Sequence, residues 1–569
     1  MSDVTETVYA GLDLGTSGCK GVLVTGDGRV VARAAARYPT HRPEPGAAEQ
    51  HPADWLKAFT SVTLGLAQAV AAERWQAIGL SAMLPTLVLT DGAGAVATPG
   101  GIGAPSSGGY LEPVGPAITW EDGRAEAEGS AFRDGFGGDA LYRRTGQWVD
   151  GRYLVPMALR LAAREPERVA AARYLLGAKD YLFGVLTGEV LTDPSTATGT
   201  GCYDLAAGDW IAEVVPLGLP RLPEIAPSTT ARPLRPAAAG LLGLVAGTPV
   251  VLGGADSVLG ALGLGLTTPG QAAYIAGTST VILALADTLA LDAAHRYLIT
   301  PMARPGSWGL EMDLLATGSA HAWLAGLLTG GDQTALARLA DEADPETAPL
   351  FLPYLLPGEQ GARWDPDLAG ALSGLHLGHR AGDLARGLRN GIVAESRHCL
   401  AVLESAAGRG EVLMAGGGAL APSLARDLAD ATGRATRPPD PSLTDSSAIG
   451  AAIIAAAGAT GQVVAVRPDR KPARLAPDPG RTAWWGWQAQ RHESAVARQQ
   501  LTNIGAGELF VSWQFIGPVK MKRTVLTVNQ EGSLVPPNRS NLGAHVGKHP
   551  GQRWAGHAGL PGIAGYRGR

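Results

Sequence analysis

The chain has 569 residues, of which 46% are hydrophobic and 17% are charged, and its formal net charge is -5. These values suit a soluble globular protein of roughly two to four domains and give no general reason to expect a nucleic-acid partner. The three cysteines lie far apart, which favours a reducing compartment without a metal cluster, and the start MSDVTETVYA lacks the basic residues of a signal peptide, so a cytoplasmic protein is expected.

The chain begins with strands that meet at a short polar turn. The segment VYAGLDLGTSGCKGVLVTGDGRVVARA predicts a strand from about Val8, a turn at Gly15, Thr16 and Ser17, a second strand to about Thr25 and then a third strand. Glycine lets backbone N–H groups approach an anion, and the Thr and Ser hydroxyls add donors. This turn can therefore hold a phosphate group, although the same three residues also suit an ordinary hairpin.

A helix and two further strands are expected next. The spacing of apolar residues from His51 to Glu73, with Pro52 suited to the first turn, predicts a helix, and RWQAIGLSAMLPTLVLTD predicts a pair of strands. Between Gly92 and Gly115, a stretch rich in Gly, Pro and Ser predicts a surface loop with little fixed structure.

An aromatic and charged cluster follows this loop. PAITWEDGRAEAE predicts a short strand that ends near Trp120, with Asp122 and Arg124 where a helix begins. A carboxylate at that point can simply cap the helix. An indole beside a carboxylate and a guanidinium group also offers a sugar a flat face and charged partners for its hydroxyls. Both interpretations of Trp120 and Asp122 stay open at this point.

Two long stretches without charge, Pro236–Ala255 and Ser257–Ala286, raise the question of a membrane span. Pro249, Pro269 and the central Asp256 would make a poor hydrocarbon-facing helix. Short apolar runs separated by Gly and Pro are typical of buried strands and helices. We therefore expect an α/β core here and no membrane partner.

One carboxylate lies between these two stretches. PVVLGGADSVLGALGLG predicts a strand that ends at Gly253 and Gly254 and a helix that begins near Asp256. Burying a carboxylate in an apolar stretch is costly, so Asp256 is either a helix cap or a working group. Phosphoryl transfer would favour the second role, because its loose transition state needs positioning and a weak base for the attacking hydroxyl.

The polar turn of the first strands occurs a second time. AAYIAGTSTVILALA places Gly277, Thr278 and Ser279 between two apolar runs, 262 residues after the first copy. A repeated strand, turn and strand is what a duplicated domain leaves in a sequence. Two similar lobes that face each other across a cleft are therefore expected.

Several segments together resemble one family. The segments are DLGTSGCKGVL, EQHPADWL, PAITWEDGRA, KDYLFGVLTGEVLTDPSTATGT, GGADSVLGALGLG, AGTSTV, LPYLLPGEQGARWDPDLAGALSGL and LMAGGGALAPSLARDLADATG. In this order they resemble the FGGY family of carbohydrate kinases, and most closely its xylulokinase-like members. The resemblance covers about Val8 to Ala497.

The resemblance implies an α/β protein with a duplicated actin-like fold of the ribonuclease-H type, in which ATP and sugar occupy a central cleft between two lobes. It implies that Asp256 takes the proton from the sugar hydroxyl and that Asp13 lies near Mg²⁺ and the transferred phosphate. The residues it implies for ATP and its phosphates are Gly15, Thr16, Ser17, Lys20, Gly277, Thr278, Ser279, Gly416, Gly417 and Gly418. The residues it implies for the sugar are Met83, Leu84, Trp120, Asp122, Asp256 and Ser257.

The chain also departs from the family pattern around the sugar. Xylulokinases usually carry Gln-Met-His-Gly where residues 82–85 read AMLP, and Leu84 cannot make the hydrogen bond of that histidine. Ser257 stands where Asn is common, and Gln360 stands where the family usually has Arg. Since a site recognises hydroxyls by satisfying their hydrogen bonds, these changes leave the identity of the sugar open.

We predict an ATP- and Mg²⁺-dependent kinase that phosphorylates a terminal hydroxyl of a ketopentose, with conversion of D-xylulose to D-xylulose 5-phosphate as the preferred reaction. Another sugar or polyol, such as ribulose, glycerol or an erythritol-like acceptor, stays open. So does an actin-like nucleotide-binding sensor that transfers no phosphate to sugar. A homodimer is the family-level expectation for partners.

The predicted organisation has four parts. Residues 1–248 form an N-terminal lobe with the sugar side and the first phosphate turn, residues 249–475 form a C-terminal lobe with the catalytic Asp and the nucleotide side, and residues 476–501 form a terminal helix. Residues 502–569 have a net charge of +6, against -11 for the rest of the chain. This change in composition indicates an appended or frame-altered tail, with two paired strands in GELFVSWQFIGPVKMKRTVLTV and disorder beyond them, or a basic interaction arm.

Overall fold

The structure is a computed structural model of the chain. It describes residues 6–91, 95–98, 101–105, 111–213, 218–356, 361–365, 367–416, 421–462, 464–467, 473–503, 509–515, 521–528 and 534–535. Residues 1–496 form one compact unit and residues 497–569 a second one.

The elements up to residue 263 follow one another in chain order as β1 (Val8–Gly15), β2 (Gly18–Thr25), β3 (Val30–Arg37), β4 (Glu49–Gln50), α1 (Pro52–Ala67), a 3-10 helix (Ala72–Arg74), β5 (Trp75–Ala82), β6 (Thr86–Thr90), β7 (Ala95–Thr98), β8 (Gly101–Pro105), β9 (Ala117–Thr119), α2 (Glu126–Phe136), α3 (Gly138–Thr145), α4 (Leu154–Arg164), α5 (Pro166–Ala171), β10 (Tyr174–Gly177), α6 (Ala178–Thr187), β11 (Leu191–Thr192), α7 (Pro194–Thr198), β12 (Tyr203–Asp204), β13 (Asp209–Trp210), β14 (Glu224–Ile225), β15 (Ala231–Pro233), α8 (Pro236–Leu242), β16 (Pro249–Ala255) and α9 (Asp256–Gly263).

The later elements are β17 (Ala272–Ala276), β18 (Thr280–Ala286), β19 (Leu298–Pro301), β20 (Trp308–Leu314), α10 (Gly318–Leu328), α11 (Gln333–Glu342), β21 (Leu350–Leu352), β22 (Ala371–Ser373), α12 (Ala381–Ala407), β23 (Val412–Ala415), α13 (Ala421–Thr432), β24 (Thr436–Arg437), a 3-10 helix (Pro441–Leu443), α14 (Ser446–Thr460), α15 (Pro479–Asn503), β25 (Leu509–Phe515), β26 (Met521–Val528) and β27 (Leu534–Val535).

The first large sheet has six strands in the order β15-β16-β5-β1-β2-β3. β2 runs antiparallel to its neighbours β1 and β3, whereas β5 joins β1 in parallel and β16 joins β5 in parallel. Thr16 and Ser17 form the turn between β1 and β2, with Gly15 paired to Gly18. The antiparallel strands predicted from Val8 are thus confirmed.

The second large sheet repeats this arrangement in the order β19-β20-β18-β17-β23-β24. β17, β18 and β20 form an antiparallel meander, while β23 and β24 add in parallel on the side of β17. The predicted duplicated ribonuclease-H-type α/β fold is therefore confirmed. Residues 277–279 link β17 to β18, as Thr16 and Ser17 link β1 to β2.

Helix α14 follows the second sheet in the chain but packs on the first one. A Cβ added to Gly11 of β1 would lie 1.8 Å from the carbonyl oxygen of Ala448 in α14. A Cβ added to Gly450 of α14 would lie 1.8 Å from the carbonyl oxygen of Leu259 in α9. Only glycine permits such close backbone packing. The predicted boundary between residues 248 and 249 stays a prediction, and the strand that starts at Pro249 is hydrogen-bonded within the first sheet.

Three local expectations differ from the structure. The helix predicted to reach Glu73 ends at Ala67, and a 3-10 helix follows before β5. β5 and β6 both form, but they belong to different sheets, because Pro85 interrupts the strand structure between them. The expected irregular loop after Gly92 was wrong in part, since β7 and β8 pair on either side of a Pro-Gly turn sequence.

Among the residues that the structure describes, no helix is long and apolar enough to cross a membrane. The uncharged stretches that raised this question form α8, β16, α9, β17 and β18. The separate unit of residues 497–569 contains β25, β26 and β27, which pair as an antiparallel sheet, so the predicted strand pair in the tail is confirmed. The segment after residue 535, predicted to be disordered, lies outside the described residues.

Candidate active site

Asp256 lies where β16 gives way to α9. The N-cap position belongs to Ala255, and Asp256 is the first residue of the helix, so its carboxylate does not serve as the predicted N-cap. Its Oδ1 accepts a hydrogen bond from the backbone N–H of Ser257 at 2.9 Å, and the residue is half-buried. A half-buried carboxylate at a helix N-terminus can act on a ligand that arrives from the cleft.

Burial and neighbouring charge determine the protonation of this carboxylate. Burial raises the pKa of Asp256 to about 7, and the negative charges of Asp13 and Asp313 act in the same direction. Asp13 belongs to the first sheet and Asp313 to the second, so both lobes impose their field on Asp256. A carboxylate with a pKa near the working pH is suited to accept a proton from an alcohol.

Asp13 is the second carboxylate that the sequence singled out. It lies on β1, is 8% exposed, and its Oδ1 accepts a hydrogen bond from Ser81 Oγ of β5 at 2.7 Å. Burial raises the pKa of Asp13, while the Ser81 hydrogen bond and the positive charge of Lys20 lower it. The ammonium group of Lys20 lies 3.5 Å from Asp445 at the start of α14.

Two aromatic side chains donate hydrogen bonds to the first polar turn. The indole Nε1 of Trp120 donates to Thr16 Oγ1 at 3.0 Å, and the phenol of Tyr38 donates to the carbonyl oxygen of Gly15. The structure thus brings two predicted site residues, Thr16 and Trp120, into direct contact. Ser17 is exposed at the tip of the turn.

The second polar turn meets the N-terminus of α10. The backbone N–H of Ser319 donates to the Thr278 carbonyl oxygen at 2.9 Å, and Gly277 and Thr278 are exposed while Ser279 is half-buried. Ser319 Oγ is buried and makes no hydrogen bond to any described residue. Both turns are therefore available at their tips, and the second has an unused hydroxyl beside it.

Gly416 lies next to this second turn. Its φ is 105°, and a Cβ there would be 1.7 Å from the carbonyl oxygen of Ala276, the last residue of β17. A side chain at this position is excluded because the backbone of β17 fills the space, so Gly416 packs directly against the residue that precedes the second turn. Gly417 and Gly418, the other two glycines implied for ATP, lie outside the described residues.

The residues implied for sugar lie at the end of β5 and after β9. Met83 is 2% exposed, and its N–H donates to the Leu14 carbonyl oxygen, so its side chain is part of the core. Leu84 is half-buried and packs on an apolar cluster to which α9, β17, β18 and β23 contribute. Asp122 is 3% exposed and accepts hydrogen bonds from Arg124 and from the backbone of Ala48. Asp122 is thus held in an ion pair of the first lobe, and its part in sugar binding stays a prediction.

Two acidic residues beside Asp256 were missed by the sequence analysis. Glu311 accepts a hydrogen bond from the side chain of Ser257, and Asp313 follows two residues later on the same face of β20. Burial raises the pKa of both carboxyls. The alternation in WGLEMDL was the available signal, but it also fits any half-exposed strand.

Asp313 also faces charges from the first lobe. The guanidinium of Arg152 lowers the pKa of Asp313 and the carboxylate of Asp150 raises it, against the larger effect of burial. Arg152 itself is bound to Asp150, with Nε 3.0 Å from Oδ2. Oδ1 of Asp313 is buried and accepts no hydrogen bond from the described residues. The surroundings of Asp256 therefore contain more carboxyl groups than basic groups.

Comparison with known proteins adds the family context. Residues 8–99 and 109–263 match the family model of the N-terminal domain of the FGGY family of carbohydrate kinases, and residues 272–459 match that of the C-terminal domain. The chain is 29% identical over 436 residues to the xylulose kinase of Escherichia coli K12, covering 75% of this chain and 85% of that protein. The gluconokinase of Bacillus subtilis is 26% identical over 402 residues, covering 67% of this chain and 74% of that protein. The crystal structure of xylulose kinase from Rhodospirillum rubrum, at 28% identity, has a TM-score of 0.76 and covers 87% of this chain and 99% of that one.

Proposed function

The chain belongs to the FGGY family of carbohydrate kinases, and on this basis we propose that it transfers the γ-phosphate of ATP to a hydroxyl of an uncharged ketopentose, with D-xylulose as the acceptor and D-xylulose 5-phosphate as the product. As a member of the family it is a phosphotransferase with an alcohol group as acceptor. The observation that carries the proposal is Asp256, a half-buried carboxylate at a helix N-terminus on which charges from both lobes act.

Asp256 is the base of the proposed reaction. As the acceptor oxygen forms its bond to the γ-phosphorus, the bond from that phosphorus to the β,γ-bridging oxygen breaks, and ADP leaves with the electron pair. The hydroxyl proton passes to the Asp256 carboxylate. A pKa of about 7 lets the group be ionised before the transfer and hold the proton afterwards.

The phosphates of ATP are assigned to the two polar turns. Thr16, Ser17, Thr278 and Ser279 offer hydroxyl groups and backbone N–H groups at exposed or half-buried turns. The nucleoside is assigned to the segment that begins at Gly416, which packs against the residue before the second turn. Closure of the lobes around both substrates would exclude water, so that the sugar and not water receives the phosphate.

Asp13 on the first sheet is suited to bind a magnesium ion. Mg²⁺ prefers oxygen ligands and keeps several waters when it binds phosphates through one or two carboxylates. Asp13 supplies such an oxygen, and its negative charge raises the pKa of Asp256, an electrostatic cost that a bound cation would relieve. Asp13 would therefore hold Mg²⁺, which supplies neutralising charge to the phosphates when it is bound.

The charges near Asp256 favour an uncharged acceptor over a sugar acid. Glu311, Asp313 and Asp13 surround the Asp256 side with carboxylates, and the guanidinium of Arg152 is already bound by Asp150. Burial raises the pKa of Glu311 to about 8, so above that pH the carboxylate of a sugar acid would meet like charges, which repel strongly in a partly buried site. The same carboxylates accept hydrogen bonds from the hydroxyls of a neutral ketose.

A different neutral acceptor is the second candidate. Leu84 packs in an apolar cluster where xylulokinases usually have a histidine, so the hydroxyl that this histidine would bind has no such partner here. Because a missing hydrogen bond changes the preference among similar acceptors, ribulose, glycerol or an erythritol-like polyol is the second candidate acceptor.

Release of ADP with a panel of acceptors tests the proposal. With Mg²⁺ and ATP, we expect turnover that depends on the acceptor and is highest with D-xylulose, weaker with D-ribulose, glycerol and erythritol, and lowest with gluconate. A rate of ADP release that is the same with and without any acceptor would instead indicate a nucleotide-binding sensor. Highest turnover with another neutral acceptor would replace D-xylulose and leave the kinase assignment intact.

A further inference from the structure

The backbone that leads into Asp256 leaves the regular sheet. The pairing of β16 with β5 shifts register between Val251 and Gly254, and Gly253 has a φ of 72°. On its other side, β16 pairs with β15 only as far as Val251. The strand residues that follow therefore need partners outside the sheet for the N–H groups on that side.

A serine hydroxyl supplies the last of these partners. The N–H of Ala255, the residue before Asp256, donates to Ser195 Oγ at 2.9 Å, and both residues are 1% exposed. Ser195 lies on the short helix α7, outside the sheet whose strand β16 leads into Asp256.

The direction of this hydrogen bond is fixed by a carboxylate. Ser195 Oγ donates its proton to Asp193 Oδ2, the capping residue of α7. An ionised carboxylate only accepts hydrogen bonds, so the serine proton points to Asp193 and a lone pair is left for the Ala255 N–H. Ser228 Oγ donates to the same oxygen of Asp193 at 3.2 Å but has no part in the contact with Ala255.

Asp193 is itself held in a buried ionic group. Its Oδ1 lies 3.2 Å from the ammonium group of Lys179, which also lies 2.8 Å from Asp180, and the three residues are 0–2% exposed. Burial lowers the pKa of Lys179, but the charges of Asp180 and Asp193 outweigh it, and the net shift is upward, so the lysine stays charged. Buried charges persist only where ion pairs and hydrogen bonds satisfy them, which makes this group a rigid support.

We propose that Ser195 is a positioning residue for Asp256, which it serves by fixing the main chain at Ala255 in the direction set by Asp193. The inference rests on the proposed function. On the other side of the carboxylate, Ser447 Oγ donates to the carbonyl oxygen of Asp256 at 3.0 Å. The main chain is thus held on both sides of the base, and Ser195 holds the side on which the sheet has ended.

The test compares Ser195→Ala with Ser228→Ala in the full chain. Each variant removes one hydroxyl from the same oxygen of Asp193, but only Ser195→Ala releases the Ala255 N–H. We expect kcat to fall by about 10-fold or more in Ser195→Ala, since small displacements of a reacting group are costly, with KM for ATP and acceptor changed by less than about 3-fold. Ser228→Ala should keep kcat within about 2-fold of the parent.

A second variant keeps the test valid if the alanine variant folds poorly. Ser195→Cys fills the site with a slightly larger side chain but offers a weak acceptor, so kcat should fall while the melting temperature stays near that of Ser228→Ala. Equal kcat values in Ser195→Cys, Ser228→Ala and the parent would overturn the inference and leave the kinase assignment untouched. A parent protein that releases no ADP with any acceptor would overturn both.

Discussion

At the scale of single residues, Asp256 combines a helix N-terminus with charges from two sheets. The sequence could identify this residue because it is the one carboxylate between two long uncharged stretches. It could not identify Glu311 or Asp313, whose spacing on β20 resembles an ordinary strand with one exposed face. Their importance arises from the pairing of β20 within the second sheet and from the contact of Ser257 with Glu311.

Replacing Asp256 with Asn is predicted to stabilise the fold above neutral pH. The folded pKa of about 7 exceeds the ordinary value of 3.8, so the folded protein keeps a proton that the unfolded chain has lost, and stability falls as pH rises through this window. The amide of Asn does not ionise, so the variant does not lose stability in this way as pH rises. We expect the melting temperature of Asp256→Asn to exceed that of the parent at about pH 8 and to match it at about pH 4. A variant that melts lower at about pH 8 would contradict the raised pKa.

The proposed preference for an uncharged acceptor can be tested at Glu311 and Asp313. Above the raised pKa of about 8 of Glu311, Glu311→Gln and Asp313→Asn each remove a negative charge from the surroundings of Asp256, so at about pH 9 the ratio of kcat/KM for gluconate to that for D-xylulose should rise by about 10-fold. Steady-state ADP release with both acceptors measures the ratio. Glu189→Gln, which removes an exposed carboxylate paired with Arg232, should leave it unchanged. An unchanged ratio in both cleft variants would reject the electrostatic argument.

At the scale of elements, the strands predicted on either side of both polar turns were confirmed. They could be predicted because their apolar runs end at Gly or Asp residues. The partners of the strands were harder to obtain. RWQAIGLSAMLPTLVLTD predicted a pair of strands, and both strands form, but β5 and β6 join different sheets. Packing of α14 on β1 joins residues more than 400 positions apart, and no local pattern carries that information.

The contact of α14 with α9 gives a prediction for one glycine. A Cβ on Gly450 would lie 1.8 Å from the Leu259 carbonyl oxygen, so Gly450→Ala must move one helix away from the other. We expect a loss of about 1–3 kcal/mol in the free energy of unfolding, measured by urea denaturation. Gly326→Ala in α10, where no atom lies within 4 Å of the new Cβ, is the matched control and should be neutral or stabilising. Equal stability of the two variants would contradict the packing of α14 on α9.

At the scale of the whole molecule, two ribonuclease-H-type sheets and the helices around them account for residues 1–496. The terminal helix α15 contributes to this unit through His492, whose Nε2 lies 3.2 Å from Glu395 on α12, and through Trp485, which is fully buried. The tail differs in composition from the rest, which the sequence showed directly, but composition alone did not reveal where the compact unit ends.

Truncation after Leu501 is predicted to preserve sugar phosphorylation. The contacts of His492 and Trp485 remain in that variant, so kcat should stay within about 2-fold of the full chain. Truncation after Asp478 removes both residues from the core and is the destabilising comparison. A fall of more than about 10-fold in kcat after the shorter deletion would assign the tail a part in the reaction.

Turnover of Asp256→Ala with Mg²⁺, ATP and D-xylulose tests the central claim most directly. We predict that acceptor-dependent ADP release falls by at least about 10²-fold, since the hydroxyl loses its base, while the affinity for ATP measured by calorimetry changes by less than about 3-fold. Turnover close to that of the parent protein would show that the proton leaves by another route, and Asp256 would no longer be the catalytic base.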